Sequence, residues 1–467
     1  MRWFRSLTSR QRTILLALGL SVIAVVSLLV WSVWGASRAA PAVSPVAPPP
    51  VHDTGPALSV SVLPTPAVAT PVTPTPTPMP SFDVSRAGVV AAEVAAARQS
   101  RNRWGTPLSL VDLTDMARAI YRHYQRWPPL VLRARPVLEA LHLWFWDVLR
   151  LDVVAQSEDA AAFYVPESEE LIVRRDWDGG LESLETQLAF GYARALPDQY
   201  GNLPALTNEA PTLDRKLALI AIAEGDALVS TLLYRGLEPG SPEGAAVQAE
   251  VARAICPRWQ VEDALLEDLT CLAFRLGSDF AIAHYQAGGT EALDELVLRP
   301  PRSTEQLLDH ERYVAFEQPV VLSPLAPEVS SRWVLTTTET LGQALMGVVL
   351  AEWGDGEALS VLDWGGDLLQ VWEGPDEGRL AVWQMSWDNV RTAIQFYEGM
   401  VGTLPRPLMP PGTIRDRTAA DDLPRGRWWS GTRGAAFIYR RSDTVWLIWG
   451  TDPELVEAAA AAAGEVR

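Results

Sequence analysis

Two carboxylates stand where this chain can least accommodate them. Between Lys216 and Arg235 the only charged residues are Glu224 and Asp226. Glu224 lies one helical turn from both Ile220 and Leu228, inside an otherwise apolar stripe. A carboxylate in such a stripe is paired, bound to a metal or protonated, because an isolated buried charge is far too costly. The plain reading is a structural acid paired with a nearby arginine; the chemical reading is a metal ligand. Asp226 points to the opposite side of the same helix and needs a partner of its own, which the sequence does not name.

Other reactive groups are sparse. The five histidines are His52, His123, His142, His284 and His310, and no two lie within one helical turn of each other. No metal and no cofactor is therefore expected, and His123 and His284 read as surface or boundary residues of helices. There is no Gly-x-Ser-x-Gly elbow, no cysteine beside a usable histidine, no P-loop and no dinucleotide fingerprint. Lys216 is the single lysine, which leaves lysine chemistry nearly excluded. Of the 19 tryptophans, many fall in the last third of the chain. Such residues could form platforms for glycans, and a glycosidase would add two carboxylates flanking a groove. Most of them alternate along strands or open helices, which favours core packing; Trp428-Trp429, in a loop-like stretch, is the best exposed pair. A net charge of −18 argues against nucleic acid or anionic lipid as a partner.

The elements around these residues fall into five segments. Residues 13–37 carry no charge and are long enough to cross a bilayer core as a helix. Arg2, Arg5, Arg10 and Arg12 precede them, so residues 1–12 are expected in the cytoplasm and the bulk outside, as a single-pass signal-anchor. The rival is a cleaved signal peptide, with small residues at Ala36, Ser37, Ala39 and Ala40. Residues 38–82 form a Pro/Thr-rich linker that favours extended polyproline II. Residues 83–322 read as mainly helical, with helices expected at 111–127, 181–196, 213–234, 244–255, 261–286 and 290–296, and one hairpin from Ala161 to Val173. Residues 323–467 read as a smaller α+β module. Its helices are expected at 339–353, 387–401 (capped by Asp388) and 453–463, and its strands at 368–372, 380–387, 435–439 and 445–449. The strand-strand-helix order occurs twice there and suggests a half-repeat. The fold class is α+β. The two cysteines, Cys256 and Cys271, would sit about 22 Å apart on one straight helix. Pro257 would break that helix and let the chain fold back, so a disulfide and two buried thiols both stand.

Several motifs together carry a resemblance. The segment Leu188-Ala189-Phe190-Gly191-Tyr192-Ala193-Arg194-Ala195-Leu196-Pro197-Asp198-Gln199 resembles the zinc helix of a bacterial zincin-like metallopeptidase family, whose motif reads H-E-x-x-H-A-L-x-D-Q. Glu224-Gly225-Asp226-Ala227 is similar to the E-G-D-A of a later helix in that family. The hairpin from Phe163-Tyr164 to Val173 precedes them, and in the same order follow Pro301 to Leu308 with His310 to Tyr313, Thr340-Leu341-Gly342-Gln343 and Trp364-Gly365-Gly366-Asp367. The resemblance spans roughly residues 160–400 and implies a zincin-like fold with two helices facing each other across a cleft. The positions of the two histidines and the general base are held here by Phe190, Arg194 and Gly191. Only the distal ligand, Glu224, remains.

Two histidines at i and i+4 and a glutamate beside the bound water are what the zinc mechanism needs. The resemblance therefore implies a catalytically inactive, degenerate member, with a vestigial site of Phe190, Gly191, Arg194, Glu224 and Asp226. Arg194 is expected to replace the metal as counter-ion to Glu224, and Phe190 to fill the vacated volume. A membrane-held binding or scaffolding protein is the function this implies, with a peptide or protein partner at the old cleft. The alternatives are a cell-surface, glycan-directed hydrolase built on carboxylates and the Trp-rich module, or a purely structural envelope protein.

Overall fold

The computed structural model describes residues 84–100, 105–126, 130–141, 157–166, 168–256, 264–353, 361–403, 415–418, 425–431 and 434–465. All belong to one compact unit, Thr77–Arg467. The expected anchor at 13–37 and the linker at 38–82 lie outside the described residues. The class is mixed α+β, as the sequence pattern indicates.

In chain order the first part comprises α1 (Val84–Ala97), β1 (Leu108–Val111), α2 (Leu113–Arg126), α3 (Leu130–Ala140), β2 (Ala162–Val165) and β3 (Glu170–Arg174). There follow α4 (Leu181–Gly201), α5 (Leu203–Glu209), α6 (Leu213–Tyr234), α7 (Pro242–Ile255), α8 (Ala264–Leu298), and the short α9 (Glu305–Leu308) and α10 (His310–Ala315). The expected hairpin is present as β2 and β3, and β1 adds to it in parallel, giving the order β1-β3-β2.

Helix α6 is the central element. Thr212 caps it, its side chain accepting the Arg215 amide at 3.2 Å. Its residues are apolar on nearly every side, which is the signature of a buried helix. Length and apolarity alone would let it cross a membrane, but it is largely buried inside the unit. The two helices expected at 261–286 and 290–296 form one run, α8, broken at Gly289, whose φ of 65° is readily adopted by glycine. Cys256 and Cys271 are joined by a disulfide, 15 residues apart in sequence, which ties the end of α7 to α8.

The second part contains β4 (Val334–Glu339), α11 (Gly342–Trp353), β5 (Trp364–Glu373), β6 (Arg379–Trp387), α12 (Val390–Thr403), β7 (Arg415–Thr418), β8 (Gly426–Gly431), β9 (Gly434–Arg441), β10 (Thr444–Gly450) and α13 (Pro453–Glu465). The strands form one antiparallel sheet in the order β4-β5-β6-β10-β9-β8-β7. One face packs Trp364, Trp383 and Trp387 against α11 and α12, and the other packs Trp372, Trp428 and Trp446 against α13.

Three sequence expectations change here. The cap of α12 is Asn389, which accepts the Arg391 and Thr392 amides, while Asp388 turns outward to Arg312. Trp428 and Trp429 are both buried, because they lie in strand β8 rather than in a loop. The half-repeat lacks symmetry. Neighbours β6 and β10 run antiparallel, so an axis relating the two hairpins would pass through the sheet and keep both helices on one face. Instead α12 and α13 lie on opposite faces.

The helical part and the sheet share buried surface. Val137, Leu138, Ala140 and Leu141, from α3 and the residue after it, belong to the same core as Trp353, Trp383 and Trp449. The stretches Pro301–Gln306, Thr340–Gln343 and Trp364–Asp367 converge near the start of α6. Asp214 accepts the Thr304 amide at 2.8 Å and the Thr304 hydroxyl at 2.5 Å. Asp367 accepts the Leu341 and Gly342 amides at 3.0 and 2.9 Å, and thereby caps α11. Gly342 has a φ of 79°, and a Cβ there would overlap the Asp214 carboxylate. Three of the motifs behind the resemblance are thus the seam between helices and sheet.

Candidate functional site

Helices α4 and α6 lie against each other, and Arg194 crosses the gap between them. Its Nε donates to Glu224 Oε1 at 3.0 Å, and its Nη1 lies 3.5 Å from Asp198 Oδ1, one turn further along α4. The guanidinium side chain is 10% exposed, that of Glu224 18% and that of Asp198 4%. Burial alone would lower the arginine's proton affinity, but Glu224 and Asp198 outweigh it and hold the guanidinium firmly charged. The Asp198 carboxyl is pushed up by burial, against the pull of Arg194 and of a hydrogen bond donated by the Tyr164 hydroxyl. Tyr164 in turn stays neutral, since burial and Asp198 both disfavour its phenolate. The result is a relay of side chains, Tyr164–Asp198–Arg194–Glu224, that joins β2, α4 and α6.

The other positions singled out by the resemblance are filled. Phe190 is buried in the helical core and meets Phe274 of α8 edge-on, with centroids 6.3 Å apart. Gly191 faces β3, where a Cβ would overlap the end of Leu171. Leu171 is fully buried, so the room that a glutamate would need at 191 is already occupied. One turn before Phe190, Gln187 accepts the Ala161 amide at 2.7 Å and donates to the Asp159 carbonyl at 3.0 Å, which fastens the start of β2 to α4.

The segment Glu224-Gly225-Asp226 serves three neighbours with three consecutive residues. Glu224 pairs with Arg194. Gly225 lies so close to α8 that a Cβ would overlap the Gly277 carbonyl, and Gly277 is pressed as closely against Ala221. Asp226 finds the partner the sequence did not name. The Arg98 side chain, at the end of α1, reaches Asp226 Oδ1 at 2.8 Å through Nη2, and both residues are 1% exposed. Arg98 also donates to the Thr290 carbonyl at 3.1 Å and pairs with Asp294 at 2.9 Å. Burial raises the Asp226 carboxyl, and Arg98 works against that rise. Nothing in the sequence around Arg98 marks it, since its partner lies 128 residues away.

These residues do not fit a divalent cation. A guanidinium already fills the coordination space of Glu224, and an arginine has no lone pair to offer a metal. Among the described residues no three His, Cys, Asp or Glu side chains come together as a metal set. His284 and His310 do meet, with rings 4.6 Å apart, but His284 Nδ1 contacts the Phe280 carbonyl at 3.2 Å and its ring packs on Phe280 and Tyr313. Burial lowers its proton affinity.

Residues 332–460 match the model of a family described as a domain of unknown function (DUF8575). That stretch runs from just before β4 into α13 and contains neither α4 nor α6. No curated protein and no solved structure matches the chain.

The surface over the Arg194–Glu224 pair is closed at Phe190 and Arg194, both buried. A pocket of about 290 Å³ opens elsewhere, between α6, α7 and α8, lined by residues that include Ser241, Gln248, Asp279 and Gln286. The tryptophans of the sheet are core residues: Trp364, Trp383, Trp387, Trp428, Trp429, Trp446 and Trp449 are all buried.

Proposed function

We propose that this chain is a non-catalytic, zincin-like pseudo-metallopeptidase, held outside the cytoplasmic membrane by its N-terminal helix and serving as a binding or scaffolding protein. The observation that carries the reading is the Arg194–Glu224 pair. At the positions where the resembling family has a metal between two helices, this chain has a permanent positive charge with the same two helices bridged by it. The Cys256–Cys271 bond supports the export half of the reading, because such bonds persist in oxidising compartments. Zinc hydrolysis has no base to run it, with Gly191 at the place of the glutamate and Leu171 in its room.

Closure at Phe190 and Arg194 moves a peptide or protein partner away from the old cleft. It also favours one second reading, a purely structural envelope protein. A glycan-directed hydrolase draws less support, since the aromatic side chains it would use are in the core.

The test is to rebuild the metal set. In the double variant Phe190→His with Arg194→His, two imidazoles stand at i and i+4 opposite Glu224, the three-ligand set of a catalytic zinc site. We expect about one zinc per folded chain in the variant and close to none in the parent, by elemental analysis after dialysis. Peptide hydrolysis should stay absent. A folded variant that takes up no zinc would count against the zincin-like reading, and a parent that carries one zinc per chain would overturn the account of Arg194.

A further inference from the structure

The end of α3 is held in an unusual way. The last carbonyls of a helix have no partner within it and need donors from elsewhere. Here the Trp449 indole donates to the Ala140 carbonyl at 2.8 Å, and the Trp353 indole to the Leu141 carbonyl at 3.2 Å. Both indoles are buried, and Trp353 packs edge-on against Trp383 at 6.1 Å. Val137, Leu138 and Ala140 sink into the same core, while Glu139 faces outward to Arg379 at 3.5 Å. Trp449, Trp353, Trp383 and Arg379 lie within the stretch that matches DUF8575 and α3 lies outside it, packed on its other side against α6 and α8.

We propose that the sheet module carries a binding site for the C-terminal end of an apolar helix, and that α3 is its ligand in cis. The chemistry defines the ligand class. It is a helix with a Val/Leu/Ala face, two free carbonyls at its end for the indoles, and an acid in its last turn for Arg379. Indole N–H groups suit this task, because each brings one donor on an apolar body and leaves no unpaired charge in the core. It follows that residues 332–460 do not complete their own core. The module depends on a helix supplied from outside the matched segment, and without α3 the groove would take a helix of the same type from solution.

Two full-length variants test this. In the first, residues 130–141 are replaced by a Gly/Ser tract of equal length, and a synthetic peptide of residues 128–143 is added back. The expected result is lost amide protection in β5, β6 and β10, restored by the peptide with one-to-one binding. A variant whose sheet keeps full protection without α3, or that folds and ignores the peptide, overturns the proposal. In the second, Trp353→Phe is combined with Trp449→Phe, which keeps the ring bulk and removes both donors. Amide exchange across residues 137–141 should then quicken at least tenfold, with α6 unchanged. If the first variant does not fold, this measurement decides: unchanged exchange in α3 overturns the proposal.

Discussion

Replacing Arg194 by methionine, which has similar length and no charge, is the sharpest perturbation of the site. It strands two carboxylates at once, Glu224 at 3.0 Å and Asp198 at 3.5 Å from the guanidinium. Breaking one side of a buried pair costs about 3–5 kcal/mol. Glu224 keeps some access to water, and Asp198 can take up a proton while Tyr164 stays bound to it, so the lower part of that range is expected. Glu224→Gln is milder at about 1–2 kcal/mol, since its amide oxygen can still accept from Arg194 Nε. In the double variant the stranded charge on Glu224 is gone, so the two losses should fall short of additivity by about 1–3 kcal/mol. Urea unfolding of the four proteins, read from midpoints at constant slope, measures that coupling. An Arg194→Met cost below about 1 kcal/mol, or simple additivity, would refute the view that Arg194 stands in for a metal charge.

Other outcomes follow from the same packing. Gly225→Ala drives a methyl into the Gly277 carbonyl and should cost more than the ~1–3 kcal/mol of ordinary overpacking, seen as a fall in melting temperature with no gain from helix propensity. Reducing the Cys256–Cys271 bond, or changing both to serine, opens a loop of 15 residues and should cost about 3 kcal/mol, measured by unfolding with and without reductant. Burial pushes the Asp214 carboxyl up to about 7, against hydrogen bonds from Thr304. A raised carboxyl contributes stability that is complete below its unfolded value and lost as pH rises through the folded one, so Asp214 weakens the fold across pH 4 to 7. Asp214→Asn keeps an acceptor for Thr304 and removes the charge. Its stability relative to the parent should therefore grow by about 1.4 kcal/mol per pH unit over that window, and a flat difference in melting temperature from pH 4 to 7 would contradict this.

Much of this architecture could be read in the residues. The span of α6 follows from a long apolar run whose only charges between Lys216 and Arg235 are Glu224 and Asp226, and the hairpin β2–β3 from two short apolar runs, Ala161–Tyr164 and Leu171–Val173, on either side of a turn. The pairing of Arg194 with Glu224 was legible because one charge in an apolar helix demands a counter-charge, and motif order said which helix faces it. Strands β1, β4, β7 and β8 are not among the expected ones; β4 is a largely exposed edge whose Thr-rich sequence has no hydrophobic period. Helix α3 was missed for a related reason: it carries Pro136 inside, a residue that ordinarily ends a helix. Arg98 was invisible because ion pairs leave no periodic trace in sequence. Asp388 and its neighbour Asn389 share the same capping chemistry, and what separates them is the fold: Arg312 draws Asp388 outward, while Asn389 donates to Asp363 at 3.0 Å.

The placement of Arg98 also bears on how this unit would carry mechanical load. Tension applied from the N-terminal side enters the folded unit through α1, whose apolar residues Ala87, Val90 and Val94 lie along the helical core. Its strongest grip is at the far end, where Arg98 is bound by Asp226, Asp294 and the Thr290 carbonyl. A pull would have to break the Arg86–Glu185 ion pair and the buried apolar contacts of α1, and would then meet a fastening rooted in α6 and α8. Load entering through α1 would thus be passed at Arg98 to α6 and α8 together.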